Sequence, residues 1–332
     1  MIIKNILITG GTGFLGQRLA RRLKQAGHRV TAVGRNEVAG KYLQDAGIDF
    51  ARGDLADLAR ITGLCRGMDQ IVHCGALSAP WGRVEDFYRA NVLGTRNILQ
   101  GARSHGIMRV VHVSTPSIYN EFRDRFGVTE QDPLPARMIN AYAQTKLLAE
   151  QEVRAACQQG VAAIIIRPSG IFGPGDTSIL PRLIAANSRR FIPVMGRGEV
   201  RVDITCVENV VDALELGLNA EIPALGQAYN ITNGEPVVLH EFLRDLVTRL
   251  GYMYRPRRIS LRAAWALAGV METASKWLLS YKEPPLTRYA VGTLAFSRTL
   301  DISAARRDLG YVPRISVQDG VSELVRVWRT NG

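Results

Sequence analysis

The chain has 332 residues, 46% hydrophobic and 22% charged, the balance of an ordinary globular protein with room for one large domain or two smaller ones. Its formal net charge is +12, yet no Lys/Arg run with interleaved aromatics and no nucleic-acid motif appears; nucleic acid is therefore not an expected partner, and acidic ligands, an anionic membrane surface or a solvated basic face remain. Cys65, Cys74, Cys157 and Cys206 are scattered without a C-x-x-C pair, which argues against a disulfide framework and for free thiols in a reducing compartment.

The first strand is expected over Ile2–Ile8. Lys4 and Asn5 interrupt its apolar run and no cleavage-type segment follows, so a signal peptide is not expected and a cytoplasmic location is. The strand runs into Thr9-Gly10-Gly11-Thr12-Gly13-Phe14-Leu15-Gly16, and helical character begins with Arg18, Leu19 and Leu23. Glycines at 10, 13 and 16 let the backbone turn tightly, approach a pyrophosphate and pack helix on strand, with the helix N-terminus facing the anion. Such a triplet alone is weak; its place between a strand and a helix gives it meaning.

A second strand, His28–Val33, ends in Gly34-Arg35-Asn36. An Asp or Glu usually stands here when a ribose 2′-hydroxyl is bound. Here no carboxylate repels a 2′-phosphate and the Arg35 guanidinium is available to bind it, so NADP(H) is favoured, with NAD(H) as the alternative. A third strand, residues 48–53, leads into Asp54-Leu55, an expected adenine contact, and a fourth, Gln70–Cys74, leads into Gly75-Ala76. One long helix is expected from Val84 to Ser104, then a fifth strand, Arg109–Val113. Strands alternating with helices imply a parallel sheet covered on both faces, with ligands beyond the carboxyl ends of the strands.

The fifth strand ends in Ser114-Thr115-Pro116-Ser117, on that ligand side. A helix over Met138–Val153 carries Tyr142 and Lys146, four residues apart and hence on one face. A nearby ammonium favours the phenolate and is expected to lower the tyrosine's pKa, making the pair a general acid or base. A sixth strand, Ala162–Arg167, precedes a Pro/Gly-rich loop, Pro168–Asp176, expected to cover a nicotinamide.

Together these segments resemble the extended short-chain dehydrogenase/reductase superfamily: Thr9–Gly16, Gly53-Asp54-Leu55, Asn91-Val-Leu-Gly-Thr95, Val113-Ser-Thr115, Tyr142–Lys146, Arg167-Pro168 and Gly173-Pro-Gly-Asp176. The resemblance implies a Rossmann-type doubly wound parallel sheet over 1–177. It also implies a smaller, mainly substrate-binding domain over 178–332, with the chain crossing back. It assigns cofactor contacts to Gly10, Thr12, Gly13, Phe14, Leu15, Gly16, Arg35, Asp54, Leu55, Ala76, Asn91, Ser114, Tyr142, Lys146, Pro168 and Ile171, and the chemistry to Thr115, Tyr142 and Lys146. Tyr142 then protonates a carbonyl oxygen as hydride arrives, Thr115 polarises the carbonyl, and Lys146 holds the nicotinamide ribose and depresses the phenol's pKa; Ser114 is a support. No metal is implied.

Sugar-nucleotide epimerases and dehydratases of that superfamily usually carry an Arg-Asp pair before a Val-Asp-Asp segment. Here Val202-Asp203 and Val207-Glu-Asn209 stand instead, which resembles the 3β-hydroxysteroid dehydrogenase branch. Ala79-Pro-Trp-Gly82, Ser114–Ile118, Asn233–Pro236, Glu283–Arg288 and Ala305–Pro313 are similar to bacterial reductases of 2-alkyl-3-oxoalkanoic acids. Thr115 replaces a common serine, and Cys74-Gly75-Ala76 departs from a common pair of alanines. The alternatives are a sugar-nucleotide epimerase or dehydratase with tightly held NAD and a non-catalytic dinucleotide sensor. In this superfamily the 84–104 helix and the Tyr142 helix commonly form a homodimer bundle, so a homodimer is an expectation of the resemblance.

The segment Ile259–Tyr281 is the informative part of the second half. At about 100° per residue, Arg262, Glu272 and Lys276 fall within an arc of roughly 80° and the remaining surface is mostly apolar. It is too interrupted for a confident membrane span. Three readings stand: a buried helix, the wall of a pocket for a long hydrophobic substrate, or a helix resting on a membrane. Residues 251–332 hold 13 Lys/Arg against 6 Asp/Glu, an excess of seven. An apolar, anionic small-molecule substrate such as a β-keto acid or acyl thioester is expected, with loose membrane contact through 259–281.

Overall fold

The computed structural model describes residues 2–177, 179–189, 191–195 and 198–331. Seven parallel strands form its main sheet: β1 (Asn5–Thr9), β2 (Arg29–Gly34), β3 (Asp49–Arg52), β4 (Gln70–His73), β5 (Arg109–Val113), β6 (Ala163–Pro168) and β7 (Ala228–Ile231), in the order β7-β6-β5-β4-β1-β2-β3. Their residues, such as Ile6-Leu7-Ile8 and Ile164-Ile165-Ile166, are apolar on both faces because helices cover both. Helices α1 (Phe14–Gln25) and α4 (Val207–Asn219) close one face through Leu15, Leu19, Val210 and Leu214. The other is closed by the 58–64 helix, α2 (Gly94–Ser104) and α3 (Ala141–Gln158), through Ile61, Ile98 and Val153. The strand order reverses between β1 and β4, which opens a crevice above their carboxyl ends.

Three expectations change. The first strand starts at Asn5, not Ile2, because its neighbours offer pairing only from Asn5–Arg29 and Ile6–Gln70 onward; Ile2 and Ile3 are exposed. The helix expected over 84–104 is interrupted by a π-helical segment, Tyr88–Leu93, between Val84–Phe87 and α2. Asn91 lies in this wide turn, its amide drawn onto the Leu77 backbone, a feature that often marks functional sites. The loop over 168–176 contains a short strand, Ile171–Phe172, parallel to Thr205–Cys206.

Helix α4 and strand β7, which pack on and pair within the main sheet, both come from beyond residue 177. Ser178, where the second domain was expected to begin, lies outside the described residues. The second half contributes Arg201–Val202, Val237–Val238 and Arg298–Leu300 to a four-stranded sheet completed by Arg125–Val128 from the first half, with Leu246, Val321 and Leu324 packed around Val202. A separate pair of helices, α5 (Leu261–Leu278) and α6 (Arg288–Ala295), packs through Ala264, Ala268 and Val291. Among the described residues no helix is long and apolar enough to cross a membrane.

Candidate active site

The turn after β1 is shaped by what its glycines exclude. Gly10 has φ +65°, and a Cβ there would meet the Gly75 backbone at 2.7 Å. A Cβ on Gly16 would overlap the Gly10 carbonyl, and one on Gly34 would overlap the Thr12 side chain. Gly13 donates to the Gly10 carbonyl at 2.9 Å and caps α1 with no side-chain acceptor; no acidic residue stands in the first helical turn. The first N–H groups of α1, those of Phe14, Leu15 and Gly16 included, therefore face the crevice without an internal counter-charge, which fits a pyrophosphate. Arg35 is exposed at the end of β2, while the nearby acid, Glu37, is bound by Arg52 at 2.6 Å. Asp54 accepts from Ala56 N and pairs with Arg89 at 3.1 Å; Leu55 lies against Gly75 and Gly94. Ala76 is exposed on the loop after β4. Asn91 is buried and acts from behind: it accepts from Leu77 N at 2.7 Å and donates to Leu77 O and Thr145 Oγ1, fixing that loop against α3. Pro168 ends β6 and Ile171 lies on the loop strand beyond it.

Helix α3 starts later than the sequence suggests. Asn140 caps it, its side chain accepting from Ala143 N at 2.9 Å, which sets Tyr142 in the first turn. The Tyr142 phenol is half-buried and faces Ser78 and Thr115. Burial pushes its pKa up; hydrogen bonding to Ser78 and Thr115 pulls the other way, and neighbouring Tyr289 adds to the rise. The expected depression by Lys146 is absent. Lys146 is itself buried, brought to about 8 by desolvation, and its Nζ donates to Val113 O at 2.7 Å and lies 3.2 Å from His112 Nε2. Its ammonium is thus held at the carboxyl end of β5. Burial and the Lys146 charge keep His112 well below the usual histidine range, so the imidazole is neutral; its buried Nδ1 has no partner among the described residues.

Thr115 caps the 3₁₀ turn Pro116–Tyr119 by accepting from Ser117 N at 3.1 Å, and its hydroxyl also meets Ser117 Oγ at 3.1 Å. Ser117 Oγ in turn lies 3.3 Å from the Tyr289 hydroxyl on α6. The site is therefore closed by both halves of the chain. Behind it, Ser114 donates to Glu150 at 2.6 Å, and Glu150 and Arg167 form a buried two-pronged pair that Tyr119 completes. Ser114 is thus a support for the strand end.

Beside Tyr119 a shallow, solvent-open cleft is lined by Asn120, Ile139, Gly292, Phe296 and Arg298, among others. Burial pulls the Arg298 pKa down; among the described residues its buried Nε has no hydrogen-bond partner, and neither has Asp203 Oδ1. Ser78, His112, Tyr289 and Arg298 were not found by sequence reasoning. Ser78 and His112 had only the signal of lying at or just past strand ends; Tyr289 and Arg298 come from a distant segment and had none.

The family model described as "NAD dependent epimerase/dehydratase family" matches residues 6–232. A 2-alkyl-3-oxoalkanoate reductase from Stenotrophomonas maltophilia is 36% identical over 324 residues, covering 96% of this chain and 98% of that protein. A 3 beta-hydroxysteroid dehydrogenase/Delta 5-->4-isomerase from Mycobacterium tuberculosis is 31% identical over 333 residues, covering 96% and 88%. Among solved structures, dTDP-glucose 4,6-dehydratase from Streptomyces venezuelae with NAD bound is similar with a TM-score of 0.77 at 25% identity, covering 98% of this chain and 97% of that one.

Proposed function

This chain belongs to the NAD-dependent epimerase/dehydratase family of extended short-chain dehydrogenases/reductases and is an NAD(P)-dependent oxidoreductase; on that premise we propose that it reduces the ketone of an apolar 3-oxo acid, or of its acyl thioester, with NADPH. The reading is carried by one observation: the Tyr142 phenol meets the Thr115 and Ser78 hydroxyls, where Ser117 joins Thr115 to Tyr289 of the second half. The dinucleotide, when bound, supplies the hydride. Tyr142, kept protonated at neutral pH by its burial, donates its proton to the ketone oxygen as negative charge gathers there. Thr115 and Ser78 donate hydrogen bonds to that oxygen and fix its position. Lys146 holds the nicotinamide ribose. The Arg298 guanidinium, whose Nε has no hydrogen-bond partner among the described residues, would receive the acid group of the substrate. Arg35 would bind the 2′-phosphate that distinguishes NADPH.

The names of the reductase and hydroxysteroid dehydrogenase relatives favour ketone or alcohol chemistry. The test is consumption of NADPH and NADH in the presence of 3-oxo acids of graded chain length, steroids and sugar nucleotides. NADPH consumption that rises with chain length is expected. Equal rates at every chain length, or a purified protein that retains NAD and turns over only sugar nucleotides, would overturn the reading.

A further inference from the structure

Helix α5 is turned inside out for a surface helix. Its inward face is made by Ala264, Ala268 and Ser275, all buried. Ser275 Oγ accepts from Trp81 Nε1 at 2.8 Å and donates to Lys282 O at 2.6 Å; Trp265 packs edge-on to Phe122 with ring centroids 4.2 Å apart. The opposite face should be polar. Instead, at about 100° per residue, Ala263, Ala266, Leu267, Val270, Ala274, Trp277 and Leu278 share an arc of roughly 120° that contains no charged residue. Val270, Trp277 and Leu278 are 68%, 82% and 78% exposed, and Leu279 continues the patch. The helix is neither buried all round nor only a pocket wall, two of the readings its sequence left open.

An exposed contiguous apolar stripe of this kind marks a docking surface. Its surroundings say what docks. Arg255, Arg257, Arg258 and Arg262 lead into the helix, and Lys276 and Lys282 stand at its far end. Between Gly251 and Lys282 the one acidic residue is Glu272, and its carboxylate is turned inward to Arg288 N at 2.7 Å. An apolar stripe ending in an exposed Trp and flanked by basic residues suits an anionic bilayer: the apolar side chains enter the headgroup boundary, Trp277 sits at the interface, and the basic groups meet lipid phosphates. No described helix can span the bilayer, so the contact is peripheral.

We propose that α5 is a peripheral docking helix that lies flat on an anionic membrane surface. The same helix holds the 77–82 loop, which carries Ser78, through Trp81, so docking sets that side of the site near the bilayer, where an apolar substrate would be concentrated. The docking itself does not depend on the reductase reading, because it is measured without substrate.

The experiment is co-sedimentation of the full chain with vesicles of phosphatidylglycerol and phosphatidylcholine, and with phosphatidylcholine alone, comparing wild type, W277E/L278E and R258Q/R262Q. The result expected is binding to the anionic vesicles that weakens at high salt and in R258Q/R262Q. It should fall by about two orders of magnitude in W277E/L278E, with turnover of a short-chain, water-soluble 3-oxo acid, or failing that NADPH binding, unchanged. The folded state of W277E/L278E is checked by its cofactor binding. No binding to anionic vesicles by the wild type, or equal binding by W277E/L278E, overturns the proposal. So does a wild-type dimer in solution that W277E/L278E dissolves while vesicles bind neither protein, which assigns the stripe to a second copy of the chain.

Discussion

Replacing Lys146 with methionine should make the protein more stable near neutral pH while removing its activity. Lys146 is 1% exposed, and burial lowers its pKa from 10.5 to about 8. That fall corresponds to about 3 kcal/mol by which the fold disfavours the charged ammonium. Between about pH 8 and 10.5 the unfolded chain holds a proton there that the folded chain has lost, so wild-type stability rises through that window. Below about pH 8 both states are charged and the destabilisation is present in full; above 10.5 both are neutral and it is gone. Methionine is close to isosteric and carries no charge to desolvate. It also forfeits the bonds to Val113 O and His112 Nε2, at about 1 kcal/mol each. The net expectation is a gain of about 1 kcal/mol at pH 7 and a loss of about 2 kcal/mol near pH 10.5. Urea unfolding of both proteins at the two pH values, read as a difference, isolates Lys146 from other titrating groups. A difference that stays flat with pH, or K146M less stable than wild type at pH 7, would refute the reasoning.

Three further outcomes follow from the geometry. Arg35→Ser removes the one guanidinium at the end of β2, and KM for NADPH should rise about tenfold or more while KM for NADH changes little; equal changes for both cofactors would show that Arg35 does not read the 2′-phosphate. Arg167→Met leaves the Glu150 carboxylate, 1% exposed, with its charge unpaired, and should lower stability by about 3–5 kcal/mol in urea unfolding, a loss largely recovered in E150Q/R167M. Arg298→Gln should raise KM for a 3-oxo acid by about tenfold, a charge-assisted hydrogen bond's worth, while leaving a neutral ketone of equal length unaffected; identical effects on the two substrates would exclude Arg298 from carboxylate binding.

What could be read from the sequence was local. Glycines 10, 13 and 16 owe their meaning to a strand on one side and a helix on the other, both within a few residues, and Tyr142 and Lys146 share a helical face by spacing alone. The features that escaped are made by long-range contacts. Strand β7 is four residues long and gains its place only by pairing with β6. The π-helical turn at Tyr88–Leu93 follows from an Asn91 contact with Leu77, on a loop that no periodicity marks. The expected lowering of the Tyr142 pKa rested on helical proximity to Lys146. It failed because the ammonium is drawn to Val113 and His112 at the end of β5, which leaves burial to push the phenol upward. The pairing of Glu150 with Arg167 was invisible for the same reason: helix and strand bring them together, although each residue alone looks like surface charge.

The most direct test of Tyr142 as proton donor is Tyr142→Phe, with NADPH affinity and turnover measured on the same preparation. The phenyl ring keeps the packing and loses only the hydroxyl that faces Ser78 and Thr115. Unchanged NADPH affinity with kcat reduced by about 10²–10⁴ is the expected result; turnover within a few-fold of wild type would mean that the proton reaches the ketone from another group.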